Sequence, residues 1–155
     1  MDLVVYYTRT NNTKEVSEII AEEKNAQLLE VKDKKSRGGA IGFMMGGFDA
    51  IRGKETSITY DKVDLNEFDT IYVGTPVWAS KPTPAILKFI EENDFAGKNV
   101  ITFATMGGSG GDSTINLMNE KIQAHNGSIK HSFSLAINNK NNDIRQLVTD
   151  ALNYE

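Results

Sequence analysis

The chain has 155 residues, of which 39% are hydrophobic and 25% are charged, and this length predicts one domain over residues 1–155. The formal net charge of −4 disfavours nucleic acids and anionic membranes as partners, because binding to either needs clustered positive charge. The absence of cysteine excludes disulfides, iron–sulfur clusters, zinc–thiolate sites and thiol nucleophiles, so any redox chemistry would need a bound organic cofactor.

Short β-rich apolar runs alternate with longer segments of helical period along the chain. The predicted strands are Leu3–Tyr7, Gln27–Val31, Thr70–Gly74, Asn99–Thr105 and Ser128–Leu135. The predicted helices carry apolar residues at helical spacing: Val16, Ile19 and Ile20; Ile86, Leu87 and Ile90; Ile115, Met118 and Ile122; Ile144, Leu147, Val148, Ala151 and Leu152. The last strand alternates apolar and polar residues, which favours an edge of the sheet.

The segment Ser36–Glu55 fits this alternation less well. Its larger apolar residues, from Ile41 to Ile51, fall at helical spacing, but several glycines lie among them. We interpret it as a glycine-loosened second helix with its apolar face toward the core. A helix on a membrane surface is the alternative, although the polar face lacks the lysine and arginine density that such a helix needs.

Alternating strands and helices predict a parallel sheet covered by helices on both faces. Ligands of such sheets bind beyond the carboxyl ends of the strands, at a topological switch point. Three segments with unusual composition follow predicted strands: TRTNNT at 8–13, TPVWASKPTP at 75–84 and TMGGSGGD at 105–112. In a sheet of strand order 2-1-3-4-5 these strands are neighbours, so the three loops would meet.

The first loop has two interpretations. Hydroxyls of Thr8, Thr10 and Thr13 could join the unbonded N–H groups at the start of a helix near Thr13 to form an anion site. Asn11 and Asn12 tolerate the left-handed backbone of a tight turn. The alternative is a plain turn in which Thr10 or Asn12 caps the helix. The loop matches neither a Walker nor a Rossmann glycine pattern.

The second loop contains the only tryptophan, Trp78, between Pro76, Pro82 and Pro84. The indole could stack on a flat ring system, or it could cover the edge of the core. Pro84 sits where the first turn of a helix accepts proline.

The third loop has four glycines in the five residues 107–111. These would bring bare backbone N–H groups close to a ligand, with Asp112 or Ser113 capping the next helix. A glycine loop without a ligand is the alternative. Together the three loops suit a phosphorylated, flat, polar aromatic cofactor.

The loops resemble those of the flavodoxin family. The family's phosphate loop runs [T/S]-x-T-G-x-T, and Thr8-Arg9-Thr10-Asn11-Asn12-Thr13 departs from it only at Asn11, where glycine is usual. GTPVWA at 74–79 resembles the second flavin loop, and GGSGG at 107–111 resembles the third. The resemblance covers essentially the whole chain. It implies the short-chain form of a three-layer α/β fold, with a five-stranded parallel sheet of order 2-1-3-4-5 and helices on both faces.

The resemblance also implies FMN as the cofactor. Its phosphate would be held by Thr8, Thr10, Asn12 and Thr13, with the backbone N–H groups of Arg9 and Asn11. The ring and ribityl chain would be bordered by Thr75, Pro76, Val77, Trp78 and Ala79. The pyrimidine edge would meet Thr105, Met106, Gly107, Gly108 and Gly111. No aromatic residue stands between Thr105 and Asp112 to stack on the second flavin face, so Met106 is expected there, and the Arg9 and Lys14 side chains are expected to face solvent.

The implied function is electron transfer at low potential between redox partner proteins, because no lysine or arginine in the third loop would stabilise a negatively charged reduced flavin. No catalytic residue or metal ligand is expected, and His125 and His131 are interpreted as surface or strand residues. The first apolar run is too short for a signal sequence or a membrane span, which predicts a cytoplasmic location. We also expect the protein to be a monomer. The alternatives are an FMN-dependent NAD(P)H:quinone-type oxidoreductase of the same fold and a non-redox phosphate-sensing module.

Overall fold

Five parallel strands form the central sheet in a computed structural model that describes residues 1–33, 57–137 and 143–153. Together with a separate two-stranded pair, the strands in these residues are β1 (Asp2–Tyr6), β2 (Gln27–Glu30), β3 (Lys32–Asp33), β4 (Ile58–Thr59), β5 (Thr70–Pro76), β6 (Asn99–Met106) and β7 (Ser128–Ala136). The helices are α1 (Asn12–Lys24), α2 (Pro84–Glu91), α3 (Gly111–Ala124) and α4 (Ile144–Leu152), with a 3₁₀ turn at Leu65–Glu67. The helix predicted over Ser36–Glu55 lies outside the described residues.

The strand order of the sheet is β2-β1-β5-β6-β7, and every pair in it is parallel. In the order of the five predicted strands this is 2-1-3-4-5, so the predicted topology is confirmed, including the edge position of the last strand. The sequence did not predict the separate antiparallel pair of β3 and β4. Each of these two strands has only two residues, which is too short for a periodic signal.

Apolar side chains alternate between the two faces of the sheet and form two cores. On one face Leu3 and Val5 of β1 pack in a cluster with residues of α2 and α3. On the other face Val4 packs in a cluster with residues of α1 and α4. Successive residues of a strand point to opposite faces, so one buried apolar run serves both layers. The helices therefore cover both faces, as predicted.

Two strands extend further toward their carboxyl ends than the sequence predicted. β5 continues past Gly74 to Pro76, because it stays paired with β6 through Thr75–Ala104 and Pro76–Thr105. β6 continues to Met106, because this residue pairs with Ala136 of β7. The turn-forming residues around Pro76 predict a loop, but Pro76 pairs with Thr105 and belongs to β5. Part of the second and third predicted loops thus belongs to the sheet, at the carboxyl ends of its strands.

Tyr6, at the end of β1, leads to a prediction about the stability of the fold at alkaline pH. Tyr6 is buried and its hydroxyl donates to Oε1 of Glu30 at 3.3 Å. Burial and then the charge of Glu30 raise the pKa of Tyr6 to about 12 from its ordinary value of 10. A raised folded-state pKa stabilises the fold below pH 10, and this contribution is lost as the pH rises through 12.

We expect wild type to lose up to about 2 kcal/mol of unfolding free energy between pH 10 and 12 relative to Tyr6→Phe, which cannot ionise there. Thermal unfolding of both proteins from pH 9 to 12 measures this difference. Parallel curves for the two proteins would contradict it.

Candidate FMN-type cofactor site

A cavity of about 460 Å³ lies at the carboxyl ends of β1, β5 and β6. Its lining consists of residues from all three predicted loops: Arg9, Thr10 and Asn12; Pro76, Val77, Trp78 and Ala79; Thr105, Met106 and Gly107. The remaining predicted site residues, which do not line it, are Thr8, Asn11, Thr13, Thr75, Gly108 and Gly111. The neighbouring positions of β1, β5 and β6 bring the three loops together, as predicted from the sequence.

The first loop enters α1 through a left-handed residue. Asn11 is the N-cap, with φ 70° and ψ 2°, and its side chain makes no capping hydrogen bond. The interpretation in which Thr10 or Asn12 is the cap is therefore wrong. Asn is the non-glycine residue that best tolerates this backbone, so Asn11 can stand where the family pattern has glycine.

Several backbone N–H groups of the first loop are available to bind an external acceptor. Within the described part of the chain, the N–H groups of residues 10–13 make no hydrogen bond. The next N–H along, that of Lys14, is bonded to Oγ1 of Thr8 at 3.3 Å. Unbonded N–H groups at a helix start, with the positive end of the helix dipole, favour an anion. Thr8 supports this turn from outside the cavity.

Two buried hydroxyls join the first loop to the third. Oγ1 of Thr13 lies 2.8 Å from Oγ1 of Thr105, and both residues are buried. One hydroxyl donates to the other, so the accepting hydroxyl keeps its own hydrogen. Thr13 therefore anchors the start of α1 to the end of β6, and only Thr105 of the pair reaches the cavity lining.

The second loop is a tight turn that holds Trp78 against the core. The N–H groups of Trp78 and Lys81 each donate to the other's carbonyl at 2.9 Å. The two residues between them have left-handed backbones, with φ 50° at Ala79 and φ 61° at Ser80. Positive φ at both central positions is the geometry of a type I′ turn, which usually takes Asn and Gly. This turn stores strain beside the cavity.

Trp78 covers the edge of the core, which is one of the two interpretations that the sequence left open. It is buried, and its ring makes an edge contact with Tyr7 at 5.7 Å between centroids. It also lines the cavity. The indole thus closes the core at the sheet's end and forms the cavity wall with the same ring.

Thr75 supports this loop without lining the cavity. Its buried hydroxyl donates to the carbonyl of Pro76 at 2.9 Å and accepts from the N–H of Thr83 at 3.0 Å. Thr83 in turn caps α2 by accepting from the N–H of Ile86, with Pro84 in the first turn as predicted. Thr75 therefore fixes the path of the chain between β5 and α2.

The structure corrects the prediction that the Arg9 side chain faces solvent. The guanidinium carbon of Arg9 lies over the Trp78 ring, 5.8 Å from its centroid. A guanidinium is attracted to the negative face of an aromatic ring. Arg9 is half-buried and lines the cavity. The expectation failed because the sequence predicts that the first and second loops meet but not which of their side chains touch.

The third loop offers bare backbone at the cavity mouth. A Cβ at Gly107 or Gly108 would meet no atom within 4 Å. Within the described residues, the N–H groups of residues 107–110 carry no hydrogen bond. Open space beside unbonded donors is what a planar polar ligand edge would fill. Met106, half-buried on the lining, is the flexible apolar residue next to them.

The start of α3 differs from the prediction that Asp112 or Ser113 caps it. The N-cap is Gly110, with φ 93° and no side-chain cap. The Ser113 hydroxyl instead donates to the carbonyl of Ser80 at 3.0 Å. A Cβ on Gly111 would lie 2.7 Å from that of Ser134, so this glycine lets α3 approach β7 closely.

Sequence reasoning missed three supporting residues: Tyr7 against Trp78, and Ser80 with Ser113 between the second and third loops. Tyr7 is hidden in an apolar run, and a serine pair distant in sequence gives no signal. Among the described residues no group of three or more histidine, cysteine, aspartate or glutamate residues could hold a metal ion. His131 lies on β7 and His125 follows α3. No helix in the described ranges is long and apolar enough to cross a membrane.

Comparisons with known proteins agree with this architecture. A family model described as Flavodoxin matches residues 49–150, which is more than half of the chain. The phosphate-loop pattern at 8–13 lies outside that range and is thus a separate observation. A search of curated proteins finds no match.

Solved structures are similar over most of the chain. A flavoprotein from Lactobacillus acidophilus NCFM in complex with FMN is 25% identical, with a TM-score of 0.73 over 86% of this chain and 91% of that one. The apo-form of the flavoprotein from this organism, solved by NMR, is 27% identical, with a TM-score of 0.69 over 85% and 90%.

Oxidised flavodoxin 2 from Bacillus cereus is 16% identical, with a TM-score of 0.63 over 96% of this chain and 92% of that one. At this identity the likeness shows the fold. The matched family model, the strand order and the loop pattern agree with one another, and the chain belongs to the flavodoxin family.

Proposed function

We propose that this chain is an FMN-binding electron-transfer protein that works at low potential between redox enzymes. One observation carries the proposal: three neighbouring strand ends surround a single cavity of about 460 Å³, and Trp78 forms part of its wall. The loops from the first and third of these strands present unbonded backbone N–H groups. In this proposal the chain acts as a cytoplasmic monomer with redox proteins as partners.

The chemistry of the lining fits the parts of FMN. The N–H groups of residues 10–13 and the hydroxyl of Thr10 suit a phosphate dianion, because hydrogen bonds to ionised groups are the strong ones. Trp78 and Met106 suit the flat ring. Gly107 and Gly108 suit the polar pyrimidine edge, where their N–H groups could donate to carbonyl oxygens. The FMN complex of the similar Lactobacillus acidophilus flavoprotein supports this assignment.

FMN, once bound, supplies the electron exchange, and the protein supplies binding, orientation and electrostatics. Among the residues that the structure describes, the cavity lining includes no carboxylate, histidine or cysteine. General acids, general bases and thiol nucleophiles are most often such groups, whereas a carrier needs none. The neutral third loop gives little stabilisation to a negatively charged reduced flavin, which is the basis for proposing a low potential.

The experiment that tests the function starts from the purified protein and its visible absorption spectrum. We expect a yellow protein whose flavin is FMN by chromatography after release, and which passes electrons singly to a redox protein. NADPH alone should not reduce it. Steady NADPH oxidation with a quinone would favour the oxidoreductase alternative, and failure to bind added FMN would overturn the proposal.

Thr10 gives a direct test of the phosphate assignment. Its exposed side chain lines the cavity beside the unbonded N–H groups. Thr10→Ala should remove a charge-assisted hydrogen bond and weaken FMN by roughly 1.5–3 kcal/mol. Thr10→Ser, which keeps the hydroxyl, is the matched control and should retain most of the affinity. Fluorescence titration of the apoprotein measures both, and unchanged affinity in Thr10→Ala would remove Thr10 from the site.

A further inference from the structure

Arg9 places a fixed positive charge in the wall of the cavity. Its guanidinium carbon is 5.8 Å from the Trp78 ring centroid, and its side chain is half-buried on the cavity lining. An arginine side chain stays protonated at any working pH. The two other lining segments, residues 75–79 and 105–111, contain no lysine or arginine. The positive charge of Arg9 therefore lies on the same cavity lining as two segments that have no positive charge of their own.

The position of the guanidinium favours an action on the ring of the cofactor. The phosphate donors are backbone groups of residues 10–13, but the Arg9 side chain leaves that turn and lies over Trp78 in the second loop. Trp78 is buried and held by the turn to Lys81 and by Tyr7. Attraction between the cation and the indole face therefore fixes the charge against a rigid part of the wall.

We propose that Arg9 tunes the redox potential of the bound flavin by stabilising its negatively charged, fully reduced form. The inference rests on the proposed function, since it requires FMN in this cavity. In the last reduction step the flavin gains one electron from an external one-electron donor. Arg9 acts in this step through its charge alone. The potential of that step is thereby higher than the neutral second and third loops would give.

The expected size follows from Coulomb attraction over several ångströms at a partly solvated site. Such an attraction changes an affinity about tenfold. Removing the charge should weaken binding of fully reduced FMN about tenfold more than binding of oxidised FMN. For a one-electron couple a tenfold change corresponds to about 59 mV.

The test compares three variants of the FMN-loaded protein at saturating FMN. Arg9→Gln removes the charge, and Arg9→Lys keeps it. Lys14→Gln is the matched control, because Lys14 is a half-buried cation from the same region that is not part of the cavity lining. Potentials are measured by anaerobic dithionite titration with reference dyes, and dissociation constants are measured for oxidised and reduced FMN.

We expect Arg9→Gln to lower the potential of the last step by about 59 mV, with Arg9→Lys and Lys14→Gln close to wild type. A shift in Arg9→Gln no larger than in Lys14→Gln would overturn the inference. An equal shift in Arg9→Lys would also overturn it, because the charge would then not be the cause. If the wild type binds no FMN, the proposed function itself fails, and this outcome is distinct from both.

Discussion

Gly74→Ala should destabilise the protein by about 3 kcal/mol, the upper end for overpacking a core. Gly74 lies in β5, and a Cβ built on it would stand 2.1 Å from Cζ of Phe103. Phe103 is fully buried and stacks on Phe133 with ring centroids 5.6 Å apart, so its ring has little room to move. For a domain of this size the melting temperature should fall by roughly 6–12 °C.

Gly108→Ala is the matched control for this prediction, measured without FMN. Its Cβ would meet no atom within 4 Å, so the melting temperature should hardly change. The double variant Gly74→Ala/Phe103→Leu should be more stable than the two single effects predict, because the smaller side chain makes room for the new methyl group. An unchanged melting temperature in Gly74→Ala would show that the ring of Phe103 does not fill this space.

The wild-type apoprotein should bind FMN at least about 100-fold more tightly than riboflavin, which lacks the phosphate. The reason is the set of unbonded N–H groups at residues 10–13, since each hydrogen bond to a charged group contributes roughly 1.5–3 kcal/mol. Two such bonds are enough for this ratio, at 1.4 kcal/mol for each factor of ten. Fluorescence titrations with the two flavins measure it.

The backbone of Asn11 provides the control for this second prediction. Asn11→Gly should keep the preference for FMN, because glycine adopts φ 70° without cost. Asn11→Val should reduce the preference, because a β-branched residue disfavours that backbone by about 1–2 kcal/mol. Equal affinity of the wild type for FMN and riboflavin would mean that the first loop is only a turn into α1.

Periodicity along the chain was sufficient to predict the sheet. Leu3–Tyr7 and the other apolar runs have the length and composition of buried parallel strands, and the stripe from Ile144 to Leu152 is long enough to define a helix. These patterns arise locally, because each strand or helix must bury its own apolar face. The strand order followed from the resemblance of the loops to those of a known family. β3 and β4 were missed because two residues cannot show a period.

Prediction was weaker at the ends of helices and strands. Asp112 and Ser113 are good capping residues by type, yet Gly110 occupies the cap of α3 and Ser113 bonds to Ser80 instead. Pro76 has the composition of a loop but pairs within the sheet. In each case a contact with a segment distant in sequence outweighed the local preference.

The sequence by itself determined the α/β fold, the loops that form the cavity and the kind of group they suit, because strand period, glycine content and hydroxyl-rich turns are local properties. The tertiary structure alone decided how these loops meet. It placed the Arg9 guanidinium on Trp78 and paired Thr13 with Thr105 across 92 residues. Contacts of this kind depend on three parallel strands ending side by side in space, and no spacing along the chain records them.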